Sequence, residues 1–191
     1  MNRTLRTARL DLLDFTIGDV DVLVELDSDP AVVHHITGGR TTPREEVVSE
    51  VLPAFLSYAG REDGYGFWKA VERSSGEFLG WFHLRPAPGH PADEPELGYR
   101  LRRAAWGQGL ATEGSQALVD AAFTAFGARR VVAETMAAHL ASRRVMEKVG
   151  MVLVRTFVAD WPYAIPGDEL GDVEYAITRE EWERRRVPPQ P

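Results

Sequence analysis

Between Trp106 and Glu113 the chain reads Trp106-Gly107-Gln108-Gly109-Leu110-Ala111-Thr112-Glu113, a spacing that suits an anion. Two glycines at a strand-to-helix junction leave backbone N–H groups free and let a ligand come close to the main chain. The helix behind them turns the positive end of its dipole toward negative charge. The chemistry implied is phosphate binding. No Gly-Lys-Ser or Gly-Lys-Thr follows the glycines, so the P-loop pattern fails. Gly107-Gln108-Gly109 supplies the first half of a dinucleotide fingerprint, with Glu134 about where a ribose-binding acid belongs. The third glycine position, however, holds Thr112, whose side chain stands where close helix–strand packing wants none.

Such a turn needs a strand before it and a helix after it, and the pattern supplies both. Glu96–Leu101 reads as a strand, and Leu110, Ala111, Leu118, Ala121, Ala122 and Phe123 share one face of a helix from about Leu110 to Phe126, closed by Gly127. Upstream, Gly66–Glu72 and Phe78–Arg85 flank Arg73-Ser74-Ser75-Gly76 as an antiparallel hairpin. Arg9–Phe15 reads as a first strand, and Val20, Leu23, Val24 and Leu26 as one side of a helix ended by Pro30. A second helix starts at Thr42-Pro43-Arg44-Glu45, with Thr42 as cap and Glu45 at capping-box spacing, and runs to about Ala59 with Pro53 as a kink or break. Downstream come a strand at Arg130–Thr135, a helix at Ala141–Val149, strands at Met151–Val158 and Asp172–Ile177, and a last helix capped by Thr178. The order predicts an α/β sandwich with a mixed sheet.

The chain of 191 residues, 44% hydrophobic and 27% charged, is expected to form one domain over 1–191. It contains no cysteine, which excludes disulfides and thiolate metal sites and fits a reducing, cytoplasmic interior. No apolar run approaches the roughly 18 residues that span a membrane. The opening Met1–Arg9 is not followed by an uninterrupted apolar stretch, so no signal peptide is expected. The formal net charge of -7 argues against general nucleic-acid binding and is compatible with a cationic substrate such as an amine.

Further segments narrow the phosphate. Arg9-Leu10-Asp11-Leu12, Glu96-Leu97-Gly98-Tyr99, Ser142-Arg143-Arg144-Val145-Met146-Glu147-Lys148-Val149-Gly150-Met151, and Tyr175-Ala176-Ile177-Thr178 with Glu181-Trp182 accompany the glycine loop in a fixed order along nearly the whole chain. Together they resemble the GCN5-related N-acetyltransferase (GNAT) family, within it the branch that includes ribosomal-protein N-terminal acetyltransferases. The family loop has the form Gln/Arg-x-x-Gly-x-Gly/Ala. Here Trp106 takes the first place, Gly109 the fourth and Ala111 the sixth, and Trp-Gly-x-Gly-x-Ala-Thr-Glu is the branch's usual wording.

The resemblance implies a mixed, mostly antiparallel sheet splayed in the middle and flanked by helices. Acetyl-CoA is the implied co-substrate, lying between the Glu96–Leu101 and Arg130–Thr135 strands. Its pantetheine arm would pair with the main chain at Tyr99, Arg100 and Leu101. Its pyrophosphate would sit on Gly107, Gln108, Gly109, Leu110, Ala111 and Thr112. Arg102 or Arg103 would reach a phosphate, and Arg144 or Lys148 the nucleotide end. Acyl transfer to an amine needs a base, a polarised carbonyl and an acid for the thiolate. Glu96 is the candidate base, His83 the second, and the backbone N–H near Leu101 the polarising group. The family's usual acid, a Tyr, is replaced by Met146, which leaves Ser142 to serve the thiolate unless it merely begins its helix. The family Asn that holds pantetheine is replaced by His139, which keeps a donor and an acceptor.

The expected partners are acetyl-CoA and a primary amine, on a protein N-terminus or a small molecule, with no nucleic acid, membrane or metal and a monomer or homodimer as the working form. An acyl-CoA-binding regulatory module without turnover is the alternative. Acceptor specificity is expected to reside in Asp29–Tyr65, Pro86–Pro95 and Trp161–Gly171, where Trp161 and Tyr163, with Trp68 and Trp81, are candidate acceptor-pocket aromatics.

Overall fold

Side chains alternate along the strands, and both faces of the sheet need a cover. In β3 (Gly66–Glu72) Trp68 and Ala70 are fully buried, and in β4 (Phe78–Pro86) burial runs unbroken from Phe78 to Leu84. A strand buried on both sides lies at the centre of a three-layer structure. The computed structural model describes residues 4–86, 89–162 and 164–186. β1 (Thr4–Arg6), β2 (Leu10–Asp14), β3, β4, β5 (Pro95–Leu101), β6 (Arg130–Met136), β7 (Val152–Phe157) and β8 (Asp172–Thr178) form one sheet in the order β1-β2-β3-β4-β5-β6-β8-β7. Neighbours are antiparallel except β5 and β6, which run parallel.

One face carries α5 (Leu110–Thr124), α6 (Leu140–Lys148) and α7 (Arg179–Arg186) over a core that includes Leu10, Trp68, Phe82, Leu118, Phe123 and Trp182. The other face carries α1 (Val20–Asp27), α2 (His34–Thr37), α3 (Arg44–Glu46) and α4 (Leu52–Leu56). There Leu23, Leu26, Val47 and Phe55 pack with Trp81. Trp68 and Trp81 are therefore core residues, and Trp161 donates its indole N–H to Asp172 at 3.2 Å. Tyr163 lies outside the described residues.

Helix α5 approaches the sheet closely because Gly114 faces Phe82, whose ring a β-carbon at 114 would strike. Gly114→Ala gains helix propensity, yet the overpacking dominates. It is expected to cost about 1–3 kcal/mol of stability in denaturant unfolding.

Two local expectations give way. Thr42 does not cap the second helix: Pro43 holds that position, and the Thr42 hydroxyl donates to Asp27 Oδ2 at 3.1 Å. Asp27 is only 2% exposed, and a buried carboxylate has the stronger claim on a donor. Pro53 does not end its helix. The helix widens into a π turn over Val47–Val51, accommodates the missing N–H, and ends at Leu56. The short edge strand β1, which pairs with β2, has too few residues to show a pattern. The Thr178 cap forms as expected, its N–H and hydroxyl both donating to Glu181 Oε2 at 2.8 Å. Among the described residues no helix is long and apolar enough to cross a membrane.

Candidate active site

Parallel strands β5 and β6 pair at one register position, Glu96 opposite Val132. Past it a cavity of about 730 Å³ separates Tyr99, Arg100 and Leu101 of β5 from His139, Leu140 and Ala141 at the start of α6. The glycine turn lines it as well, as do Ala31, Val32, His34, His35 and Ile36 of α2 and the turn before it. Gly107, Gly109, Leu110, Ala111, Thr112 and Arg144 all line this space, as does Lys148. Gln108, Arg102, Ser142 and Glu96 do not.

Gly107 and Gly109 have φ of 73° and 78°, the left-handed region, and Gly109 is the cap residue of α5. Residues distant in sequence hold this turn in shape. Arg9 donates from Nη1 to the Gln108 carbonyl at 2.9 Å and from Nε to Glu113 Oε2 at 2.7 Å. The Arg9 N–H and the Thr7 hydroxyl both donate to Glu113 Oε1, at 2.8 and 2.6 Å. Burial pushes the Glu113 carboxyl up, but the bonds from Thr7 and Arg9 outweigh it and hold the group below its ordinary value. Trp106 ties the turn to β5 by donating its indole N–H to the Leu101 carbonyl at 2.8 Å. Arg9→Ala frees the Gln108 carbonyl, and the Kd for CoA is expected to rise roughly tenfold, the equivalent of one charge-assisted bond, in a calorimetric titration.

The arginines divide. Arg102 turns away from the cavity, pairing with Glu25 at 2.8 Å and lying over Phe78, and Arg103 reaches Asp29 at 3.4 Å. Each has an acidic partner on α1 or just after it. Arg100 donates to buried Asp27 at 2.5 Å and lies over Trp81, leaving its main chain as what it offers a ligand. Arg144 and Lys148 line the cavity with no ion-pair partner among the described residues.

Glu96 sits at the apex of the splay and pairs with Arg85 at 2.7 Å. Burial raises its carboxyl pKa; Arg85 opposes that shift and Glu134 adds to it. His83 is packed beside Phe67 and Trp81, 7% exposed, with no hydrogen-bond partner at either nitrogen among the described residues. Burial, then the charges of Arg85 and Arg100, lower its pKa to about 3, so it is neutral. It does not line the cavity.

Ser142 is not the first residue of its helix. His139 is the cap residue of α6, and Ser142 lies inside the first turn, buried and near enough to the Tyr99 phenol to act on its proton. Burial pushes the Tyr99 pKa up, which Ser142 offsets only in part, so the phenol keeps its proton. Sequence reasoning credits Tyr99 with its main chain alone. Its phenol carries a proton that Met146 lacks, and strand alternation, which turns Leu97, Tyr99 and Leu101 to the α5–α6 face, was the available signal. His139 shares a proton with Thr135, Nδ1 lying 3.3 Å from Oγ1.

His90, Glu134 and Glu174 bring metal-ligand atoms within 4.8 Å of one another. Glu174, however, already accepts bonds from Arg130 at 3.0 Å and Arg155 at 2.6 Å. This network ties β6, β7 and β8 to the loop before β5.

A splayed parallel pair over a glycine-capped helix is the arrangement that the sequence resemblance anticipates, and residues 9–152 match the family described as acetyltransferase (GNAT) domain. The chain belongs to the GNAT acetyltransferase family. A protein of Aspergillus fumigatus named FsC-acetyl coenzyme A-N(2)-transacetylase is 37% identical over 191 residues, covering 97% of this chain and 80% of its own. The solved structure of RimL, a ribosomal L7/L12 α-N-protein acetyltransferase in complex with coenzyme A, matches with a TM-score of 0.75 at 21% identity, over 92% of this chain and 98% of that one. A GNAT-family acetyltransferase from Bacillus anthracis matches at 0.73 and 22% identity, over 93% and 99%. These structural likenesses share the GNAT fold, and the chain is a GNAT N-acetyltransferase.

Proposed function

We propose that this GNAT protein transfers the acetyl group of acetyl-CoA to a primary amine, on a small molecule or a protein N-terminus, as a single cytoplasmic domain of the ribosomal-protein N-terminal acetyltransferase-like branch. The observation that carries the reading is the cavity between β5 and α6, lined by the glycine turn with its backbone N–H groups and by Arg144 and Lys148, which have no ion-pair partner among the described residues. That lining suits pyrophosphate and nucleotide phosphate. The main chain of Tyr99 to Leu101 suits the pantetheine arm.

The amine nitrogen attacks the thioester carbon, the N–C bond forms and the C–S bond breaks with its electron pair on sulfur. Glu96, directly or through water, takes the proton that the amine gives up. Tyr99 donates its phenolic proton to the leaving sulfur, and Ser142 orients that phenol and relays its replacement. His139 holds the arm where the family uses Asn. The 37% identity to an N(2)-transacetylase supports a small-molecule amine as the acceptor. Calorimetric titration with acetyl-CoA, followed by mass spectrometry of an amine and N-terminal-peptide panel, tests the reading. Saturable binding and a product heavier by one acetyl group are expected; no binding of CoA would sink it.

A further inference from the structure

At the start of α6, five residues before Arg144, His35 of α2 and His139 lie stacked, centroids 4.2 Å apart and planes 25° from parallel. His34 closes on His35 edge-on at 4.8 Å, and all three rings line the cavity. We propose that the stacked rings of His35 and His139 form the recognition surface for the amine acceptor and favour acceptors with no second positive charge near the reacting nitrogen. This inference rests on the transferase reading above.

The position follows from the neighbours. His139 is three residues from Ser142, which lies near the Tyr99 phenol assigned to the thiolate. His35 faces it from α2, so a molecule reaching the thioester along this wall passes these rings. His35 Nδ1 is buried with no partner among the described residues, so stacking alone fixes that ring, which can turn a nitrogen to a ligand hydroxyl, amide or amine.

The chemistry of the wall selects against extra cations. Burial, then His35 and His34, lower the His139 pKa to about 4, and burial, then His34, lower that of His35. An environment that resists a proton on these rings also resists a ligand ammonium beside them. Arg100, Arg144 and Lys148 add positive charge, and among the described residues no Asp or Glu lines the cavity. Asp27, the acid behind Arg100, is buried and already bonded to Arg100 and Thr42. A second ammonium would lose its water and gain no counter-charge. The formal charge of -7 therefore resides elsewhere on the chain. The acceptor class that fits is a primary amine flanked by hydroxyl, amide or carboxylate groups.

The test compares 5-aminopentanol with cadaverine, equal in length and differing by hydroxyl against ammonium. For the unaltered protein, kcat/KM is expected to favour the amino alcohol by about tenfold or more. His35→Asp supplies a counter-charge and should shift the ratio toward cadaverine by roughly tenfold, leaving KM for acetyl-CoA within about twofold. His35→Asn is the second variant if H35D fails to fold; loss of the stack should weaken discrimination about threefold. Titration of the CoA-loaded protein with each amine gives the same ratio without turnover. Thiol-assay silence would then count against the transfer reading, while the binding ratio still decides this one. Equal or better handling of cadaverine, or an unchanged ratio in H35D, overturns the proposal.

Discussion

Tyr99→Phe is expected to lower kcat by about 10²-fold while leaving the Kd for acetyl-CoA nearly unchanged, the scale of loss when a positioned acid is removed. The Tyr99 ring packs on Phe82 with centroids 5.7 Å apart, and phenylalanine keeps that contact. The effect therefore reports the hydroxyl. If Ser142 acts through Tyr99, Ser142→Ala costs less, about tenfold, and the double variant is no slower than Y99F alone, because a serine that acts only through an absent phenol contributes nothing further. Effects that multiply would make the serine an independent donor. A Y99F enzyme with the parental kcat would remove Tyr99 from the reaction. Steady-state thiol release on the three variants decides among these.

Glu96→Gln is expected to reduce kcat/KM by about 10²–10³-fold. The pH profile makes the test specific. A base works only when ionised, so activity should rise with pH through the carboxyl's pKa. Burial pushes that pKa up, and Arg85 pulls it down. The acid limb should accordingly lie above the ordinary carboxylate range and vanish in E96Q. Arg85→Met removes the cation that favours the ionised form, so it should move the limb to still higher pH. A limb that survives in E96Q would belong to the amine or to another group.

What could be read in the sequence was local. The hairpin of β3 and β4, the glycine turn and the Thr178 cap depend on residues within a few positions of one another, and they stand as expected. Contacts across the fold were not legible. Thr42 was drawn from its helix by Asp27, and Arg102 pairs with Glu25. The Tyr99–Ser142 pair and the His35–His139 stack each join elements far apart in the chain, and no spacing rule connects them. The same holds for Arg9 and Glu113, which read as a strand residue and a helix residue until the fold brings them together at the turn. The glycine turn was thus visible as a motif. The histidine wall of the cavity is a product of packing.

The most direct test of acetyl transfer is the stoichiometry of thiol release from acetyl-CoA against acetylated amine, across small primary amines and N-terminal peptides. One free thiol per acetylated amine, saturable in both substrates, is the predicted result. Bound acetyl-CoA with no amine-dependent thiol release from any member of the panel would contradict it.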